Sequence, residues 1–205
     1  MIIGICGFIG SGKDTIADYL VNVRQFRRMS FAGTLKDAVS AVFGWDRELL
    51  EGRTRESRTW REQRDEWWSQ RLGRDITPRQ VLQQWGTEVG RQAYHDEIWV
   101  ASLENRLRNS QNNVVITDCR FPNEIQAIRQ AQGLVIRVRR GPEPVWYDLA
   151  VAANRGDWVA REQVNSLLVH ASETAWVGTE FDAVIDNNHS FDSTFQQVES
   201  VLAQC

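Results

Sequence analysis

The feature that most constrains the fold of this chain is a glycine-rich stretch, GFIGSGKDT (residues 7–15), that directly follows the apolar run MIIGIC. It fits the pattern G-x-x-x-x-G-K-S/T at every position except the last, and loops of this pattern wrap backbone N–H groups around phosphate. Such a loop joins a buried strand to a helix, and Ile16, Leu20 and Val23 follow it at helical spacing. The sequence therefore predicts a nucleotide-binding loop between the first strand and the first helix.

Individual residues of this loop have separate expected roles in binding a nucleotide. Its glycines let the backbone approach phosphate closely, and Lys13 is expected to reach the β and γ phosphates of ATP and to be catalytic. Where the pattern has a hydroxyl that touches Mg²⁺, this chain has Asp14, and the hydroxyl follows as Thr15. Because Mg²⁺ keeps several waters, Asp14 can hold one of them; alternatively, it complements the positive end of the helix. The predicted ATP contacts are Gly10, Ser11, Gly12, Lys13, Asp14 and Thr15.

Strand-like and helix-like segments alternate along the rest of the chain. The five β-like runs lie at residues 1–6, 27–31, 112–118, 133–139 and 181–186. This alternation predicts an α/β fold of the P-loop NTPase class, a five-stranded parallel sheet with helices on both faces. Ligands of such sheets bind beyond the carboxyl ends of the strands, so we expect the segments that follow the strands to converge on one edge.

Lysine is scarce in this chain, and its two positions are informative. Among 24 basic residues only Lys13 and Lys36 are lysines. A bias toward arginine codons explains the other 22, but an ammonium group meets a single phosphate oxygen in a tight space where a planar guanidinium does not fit. Since Lys13 lies in the phosphate loop, Lys36 is a candidate for a second phosphate contact; its retention by chance is the alternative.

A second motif, VVITDCRFPNE, ends the third predicted strand with an acid. Asp118 lies at the strand's end, where a carboxylate can hold a metal-bound water or accept a hydrogen bond from a substrate. Arg120, two residues later, can bridge the phosphates of donor and acceptor. A structural ion pair that closes the loop is the alternative for these two residues, and Glu124 can serve as a helix cap alone.

The order of motifs along the chain resembles that of the bacteriophage-type deoxynucleoside monophosphate kinases. The motifs are SGKDT, FAGTLKDA, QWGTE, DEIW, DCRFPNE, HASE and DNN, and they span nearly the whole chain. The resemblance implies an adenylate-kinase-like fold, ATP with Mg²⁺ as phosphate donor, and a deoxynucleoside monophosphate as acceptor, giving a diphosphate for DNA synthesis. From the chemistry of the two motifs, we expect Lys13, Asp118 and Arg120 to be catalytic. The implied acceptor contacts are Lys36, Arg79, Gly86, Thr87, Trp99, Asp118, Arg120 and Glu124.

The same resemblance suggests how a single kinase domain is organised. The core would comprise residues 1–31, 112–138 and 181–205, the acceptor-binding region 32–111 and the lid 139–180. Lids close arginines over the transferring phosphate to exclude water and balance charge. The lid candidates are Arg139, Arg140 and Arg155.

Two other functions are compatible with the sequence. A P-loop kinase of another small phosphorylated acceptor, such as phosphomevalonate or dephospho-coenzyme A, would use the same loop. A nucleic-acid-associated ATPase would instead use the stretch 46–76, where arginines alternate with Trp60, Trp67 and Trp68. Acidic residues offset those arginines, however, which favours a solvated helix with charge pairs and inward-facing tryptophans, and no stable nucleic-acid binding.

Composition limits the cellular setting. None of the apolar runs approaches the about 20 residues that span a bilayer, and the net charge of -3 gives no general attraction to nucleic acid. Cys6, Cys119 and Cys205 are scattered without metal-ligand spacing, which indicates reduced thiols. We expect a cytoplasmic protein (host cytoplasm if phage-encoded) that acts on small molecules without a membrane partner, as a monomer or a homodimer.

Overall fold

The computed structural model of this chain describes residues 1–108 and 110–204. Cys205, one of the three predicted thiols, lies outside the described residues, whereas Cys6 and Cys119 are buried and free. The chain divides into two compact units. The first comprises Met1–Met29 and Gln111–Cys205, and the second Ser30–Ser110. The second unit nearly matches the segment that the sequence assigns to acceptor binding, although the functional division remains a prediction.

The first unit is built on the predicted parallel sheet. Its strands are β1 (Ile2–Cys6), β2 (Arg27–Met29), β3 (Val114–Ile116), β4 (Leu134–Arg139) and β5 (Ala183–Asp186), in the spatial order β2-β3-β1-β4-β5. At the centre, Gly4 of β1 pairs with Ile116 of β3 and Val135 of β4. Ile3 and Ile5 share one face of β1 and Gly4 lies on the other, and all three are buried, as expected of a strand covered by helices on both sides. The predicted fold class is confirmed.

Helices connect the strands and form the second unit. In chain order they are α1 (Lys13–Arg24), α2 (Gly33–Phe43), α3 (Arg47–Glu51), α4 (Arg55–Glu62), α5 (Glu66–Leu72), α6 (Pro78–Gln84), the π-helical segment (Trp85–Tyr94), α7 (Ile98–Leu107), α8 (Pro122–Gln130), α9 (Tyr147–Asn154), α10 (Trp158–Ser166), α11 (Ala171–Thr174) and α12 (Phe191–Leu202). Among these described helices, none is long and apolar enough to cross a membrane. In the first unit, α1 packs Ile16, Ala17 and Leu20 against the sheet.

The stretch 46–76 was expected to form one solvated helix, and this expectation is wrong. The segment folds as α3, α4 and α5, whose first turns are capped by the side chains of Asp46, Thr54 and Asp65. Two of these helices end at glycines with positive φ, Gly52 and Gly73. The capping side chains accept hydrogen bonds from the backbone and start a new helix each time, and the glycines end the helices. Charge patterning alone does not reveal these breaks and predicts one continuous helix.

The tryptophans of this region build the core of the second unit. Trp45, Trp60, Trp68 and Trp85 pack with Leu35, Val39, Leu50, Ile76 and Val81. The rings of Phe43 and Trp45 stack at 4.5 Å between centroids, and the indole N–H of Trp68 donates to the carbonyl of Phe43 at 3.0 Å. The predicted inward packing therefore holds for Trp60 and Trp68, whereas Trp67 is 62% exposed.

Two helix starts of the second unit test the capping signals in the sequence. Threonine followed by proline favours a helix start at residues 77–78, and the Thr77 hydroxyl indeed accepts from the backbone of Gln80 at 3.2 Å, with Pro78 in the first helical position. Local pattern also favours Thr34 as the cap of α2, but this helix begins at Gly33 and the Thr34 hydroxyl lies 2.6 Å from that of Ser102. A partner on α7, distant in sequence, thus uses the hydroxyl that local pattern assigns to a cap.

Candidate active site

The glycine-rich loop lies at the carboxyl end of β1, close to residues at the ends of β4 and β5. Gly7, Gly10 and Gly12 have φ values of 149°, 80° and 99°, which L side chains rarely adopt. A Cβ atom on Gly7 would lie 2.5 Å from the carbonyl oxygen of Val138, and one on Gly12 would lie 2.1 Å from the Nδ2 atom of Asn187. Both glycines are therefore required by backbone conformation and by space.

Asn187 braces this loop from the end of β5. Its Nδ2 donates to the carbonyl oxygen of Ser11 at 2.8 Å, and its Oδ1 accepts from the Thr194 hydroxyl at 3.0 Å. Its backbone N–H donates to the carbonyl oxygen of Arg139 at 2.8 Å, and the residue is only 7% exposed. Sequence reasoning assigned no role to Asn187. The available signal was its position in DNN, directly after the fifth strand.

Lys13 begins α1 and folds back onto the loop. Its Nζ donates to the carbonyl oxygens of Gly7 at 2.7 Å and Phe8 at 2.8 Å. Burial, and secondarily the charge of Arg120, lower the pKa of Lys13 to about 8, while Asp14 and Glu173 oppose this shift. Neutral carbonyls compensate a buried ammonium only partly, so the arrangement favours an incoming anion at this nitrogen.

Arg120 and Glu173 form an ion pair near Lys13. The guanidinium Nη1 of Arg120 contacts Oε1 of Glu173, and both side chains are partly buried. Glu173 belongs to α11, whose first turn is capped by the His170 ring through its Nδ1. The motif HASE thus brings an acid to the predicted catalytic arginine. Sequence reasoning quoted this motif but assigned Glu173 no role.

Glu124 is a helix cap in this structure. Its Oε2 accepts from the backbone N–H groups of Arg120 at 2.7 Å and Phe121 at 3.1 Å, and the residue is 3% exposed. These bonds fix the backbone at Arg120 and favour the capping alternative over a direct substrate contact for Glu124. Asp118 lies half-buried two residues beyond the end of β3, at the same edge of the sheet as the loop.

Asp14, the acid that follows the lysine, is bound by an arginine from the neighbouring strand. Arg28 of β2 donates to Oδ1 of Asp14 at 3.0 Å, to its backbone oxygen at 3.0 Å and to Oδ1 of Asp18 at 2.9 Å. The Asp14 side chain nevertheless remains 61% exposed. The structure therefore adds a third role to the two expected ones: Asp14 ties α1 to β2.

The predicted lid segment packs onto the phosphate loop through aromatic side chains. The Phe8 ring lies 4.8 Å from the Trp176 ring and 5.5 Å from the Trp146 ring, centroid to centroid. Arg137, which is 8% exposed, donates to the Tyr147 hydroxyl at 2.7 Å and to Glu143 at 2.5 Å. Of the lid candidates, Arg140 and Arg155 are exposed, and Arg139 lies 3.5 Å from Asp186.

In the second unit, Lys36 is part of a charge network with Glu51. The Lys36 Nζ lies 2.7 Å from one oxygen of Glu51, and Arg47 lies 2.5 Å from the other. Burial opposes ionisation, but these two cations hold the pKa of Glu51 down at about 2. Arg79 lies 3.3 Å from Glu62. Both predicted phosphate-binding cations of this unit therefore have carboxylate neighbours.

The other predicted acceptor residues lie on or against the π-helical segment. The indole N–H of Trp99 donates to the carbonyl oxygen of Gly86 at 2.7 Å, and its ring lies so close to Gly90 that a Cβ there would be 2.6 Å away. Thr87 is half-buried in the same segment. The structure thus brings Gly86 and Trp99 together; their contact with a nucleotide remains a prediction.

Comparison with known proteins gives two curated relatives. No protein-family model matches the chain. It is 31% identical over 154 residues to a protein of Acanthamoeba polyphaga mimivirus provisionally named deoxynucleotide monophosphate kinase, covering 68% of this chain and 74% of that protein. It is 29% identical over 184 residues to the deoxynucleoside-5'-monophosphate kinase of Escherichia phage T5, covering 65% of this chain and 74% of that protein.

Solved structures with a related chain path include two shikimate kinases. The enzyme from Aquifex aeolicus is 12% identical, with 100% of this chain and 95% of that chain aligned at a TM-score of 0.41. The enzyme from Bacteroides thetaiotaomicron is also 12% identical, with 100% and 97% aligned at a TM-score of 0.46.

The lowered pKa of Lys13 predicts how nucleotide binding depends on pH. The protonated ammonium attracts phosphate, and raising the pH through about 8 removes its proton. We expect the affinity for ATP to be constant up to about that pH and then to fall by up to tenfold per pH unit. Isothermal titration calorimetry with ATP between pH 7.5 and 9.5 measures this loss.

Two variants should shift, in opposite directions, the pH at which ATP affinity begins to fall. Glu173→Gln removes a charge that raises the pKa of Lys13, so the loss should begin at a lower pH; Arg120→Gln should delay it. Lys13→Arg should show no loss in this range because arginine stays protonated. A wild-type affinity that stays constant to pH 9.5 would contradict the assignment.

Asn187 predicts a link between the stability of the fold and nucleotide binding. Asn187→Asp keeps the shape of the side chain but removes the N–H that donates to the Ser11 carbonyl. An unpaired buried carbonyl costs about 1–3 kcal/mol of unfolding free energy, and ATP affinity should fall with the loss of loop order. Urea unfolding and ATP titration measure the two effects.

A second variant serves as the control for this test. Thr194→Val removes only the hydroxyl that supports Asn187 and leaves the bond to Ser11 in place. It should weaken ATP binding less than Asn187→Asp does. Unchanged ATP affinity in Asn187→Asp would show that the brace is dispensable.

Proposed function

The chain belongs to the family of deoxynucleoside monophosphate kinases and is a phosphotransferase, and we propose that it transfers the γ-phosphate of ATP to a deoxynucleoside monophosphate. The products are ADP and a deoxynucleoside diphosphate for DNA synthesis. The observation that carries the donor half of this proposal is the phosphate loop with Lys13 beside the Arg120–Glu173 pair. The proposed acceptor, a deoxynucleoside monophosphate, rests on the names of the two relatives.

The reaction needs alignment and charge stabilisation more than proton transfer. An oxygen of the acceptor monophosphate attacks the γ-phosphorus, and the bond from that phosphorus to the bridging oxygen of ADP breaks. Because the attacking oxygen already belongs to an anion, no strong base is required. Lys13 and Arg120 supply the positive charge that stabilises the transferring group, and the backbone N–H groups of the loop orient the donor phosphates.

Glu173 and Glu124 act on this chemistry through Arg120. Glu124 accepts a hydrogen bond from the Arg120 backbone, and Glu173 holds the Arg120 guanidinium close enough to Lys13 to affect its pKa. A phosphate that approaches Arg120 competes with the Glu173 carboxylate for the same guanidinium N–H groups. We therefore regard both acids as positioning residues that keep a charged arginine ready for phosphate.

Mg²⁺ accompanies ATP in this proposal. The ion would neutralise charge on the donor phosphates, and Asp14 would hold it through water. The exposure of the Asp14 side chain, despite its bond to Arg28, fits an indirect contact with a hydrated ion. Within the described residues, no cluster of three or more acidic, histidine or cysteine side chains could bind a metal without the nucleotide.

Neither alternative function gains support from the contacts in the molecule. The tryptophans that would stack on single-stranded nucleic acid include Trp60 and Trp68, which pack into the second unit's core. No contact among the described residues favours a phosphomevalonate or dephospho-coenzyme A acceptor over a nucleotide. We infer that the enzyme works in the cytoplasm, where ATP and deoxynucleotides are dissolved.

The Asp14 proposal predicts a change in metal dependence. Asp14→Asn keeps an oxygen for Arg28 but weakens the hold on a hydrated cation, so the Mg²⁺ concentration needed for half-maximal rate should rise several-fold. Arg28→Gln removes the tie between α1 and β2 and should lower stability without that change. Equal losses of metal dependence in both variants would favour the purely structural role of Asp14.

The acceptor proposal predicts which substrates support ADP release. Deoxynucleoside monophosphates should stimulate it, with ribonucleotides used about tenfold less well or worse if the sugar's 2′-hydroxyl is buried unpaired. Phosphomevalonate, dephospho-coenzyme A and single-stranded DNA should not stimulate it. A coupled assay with the eight common monophosphates and these three compounds separates the functions.

A variant of the loop controls for contaminating kinases in this assay. Lys13→Ala should reduce transfer by at least about a hundredfold, as expected on removal of a group that stabilises transition-state charge. Its unfolding transition should stay cooperative because the Lys13 ammonium contributes no apolar packing. Stimulation by phosphomevalonate or DNA, with none by nucleotides, would refute the proposed function.

A further inference from the structure

Arg61 is a partly buried cation of the second unit that forms no ion pair with a carboxylate among the described residues. It lies in the last turn of α4, and its Nε is buried with no hydrogen-bond partner within the described residues. Its guanidinium lies flat against the turn after α3, because a Cβ atom on Gly52 would be 2.1 Å from its Cζ. The arginine is therefore held in place by packing and not by a carboxylate.

Two other arginines of the same region are paired with acids. Arg64, three residues later, contacts both Glu66 and Asp75, and Arg47 contacts both Asp37 and Glu51. The acids of this segment thus pair with Arg47 and Arg64 but not with Arg61.

The two acids nearest to Arg61 bind other cations. Glu51 uses one oxygen for Lys36 and the other for Arg47, and Glu62 lies 3.3 Å from Arg79. Burial, and secondarily the charge of Arg79, lower the pKa of Arg61. Two guanidinium groups therefore lie near each other on the packed helices α4 and α6, with the nearer carboxylates already engaged.

We propose that Arg61, together with Arg79, binds the phosphate group of the acceptor monophosphate. Leaving a partly desolvated guanidinium with a buried, unpaired N–H is unfavourable for the free protein, and a phosphate dianion would accept that hydrogen bond and supply the missing charge. A guanidinium offers phosphate two parallel N–H bonds, which an ammonium cannot. Such unpaired charges are typical of ligand sites.

This inference gives Lys36 a positioning role. By holding one oxygen of Glu51, Lys36 keeps that carboxylate from turning to Arg61, and Arg47 does the same with the other oxygen. The second lysine of the chain then supports phosphate binding indirectly. The inference rests on the proposed function for the identity of the ligand, but the phosphate site itself can be tested without turnover.

The test compares Arg61→Met with Arg64→Met. Both remove a guanidinium and keep an unbranched side chain, but only the first removes an unpaired one. Arg61→Met should raise the KM for the acceptor about tenfold or more and leave the KM for ATP unchanged. Without ligand, its melting temperature should equal or exceed that of the wild type, because an uncompensated charge is gone. Arg64→Met should leave both KM values unchanged.

Binding of inorganic phosphate and of a deoxynucleoside monophosphate provides a readout that needs no reaction. With the phosphate loop occupied by a non-hydrolysable ATP analogue, the fluorescence of the tryptophans, which include Trp60 next to Arg61, should report saturable binding of both ligands to wild type and to Arg64→Met, but not to Arg61→Met. Arg61→Lys should restore it only in part. If this pattern holds while no monophosphate is phosphorylated, the proposed function fails and the phosphate site stands.

Opposite results would overturn the inference. A lower melting temperature of Arg61→Met with unchanged acceptor KM and unchanged phosphate binding would show that the arginine serves packing alone. Phosphate binding that is lost equally in Arg64→Met would show a general effect of net charge. In either case the kinase reaction of the wild type would be unaffected, so the proposed function would survive.

Discussion

Burying a cation without a full carboxylate partner costs a folded protein free energy, and this chain does so at more than one place. Lys13 is compensated by two loop carbonyls and has a pKa lowered to about 8. Arg61 has a buried Nε without a partner in the described part of the chain. An anion would relieve this cost at both places, which is the physical basis of the two phosphate sites proposed above.

Holding such charges in place requires rigid neighbours, and the sheet supplies them in the first unit. Asn187 connects the end of β5 to the carbonyl of Ser11, while Phe8 packs against Trp146 and Trp176 of the predicted lid segment. The same edge of the sheet carries Arg120, fixed through its backbone by Glu124 and through its side chain by Glu173. In the second unit, the guanidinium of Arg61 packs against the backbone at Gly52.

The acids near these cations are themselves paired with basic side chains. Asp14 is bound by Arg28, Glu51 by Lys36 and Arg47, and Glu173 by Arg120. Each pair neutralises a negative charge that would repel a nucleotide and orients a positive one. The two lysines of the chain therefore have different contacts: Lys13 bonds to carbonyls of the phosphate loop, and Lys36 pairs with Glu51.

Local sequence determined the parallel sheet, the phosphate loop and the Thr77 cap, because glycine conformations, apolar runs and capping side chains act over a few residues. It placed Lys13 and Arg120 correctly at the carboxyl edge of the sheet for the same reason. Asn187, Glu173 and Arg61 needed the tertiary structure, since their significance lies in partners distant along the chain or in a partner that is missing. Whether a charge is paired depends on the three-dimensional positions of all its neighbours, and spacing along the sequence does not contain that information.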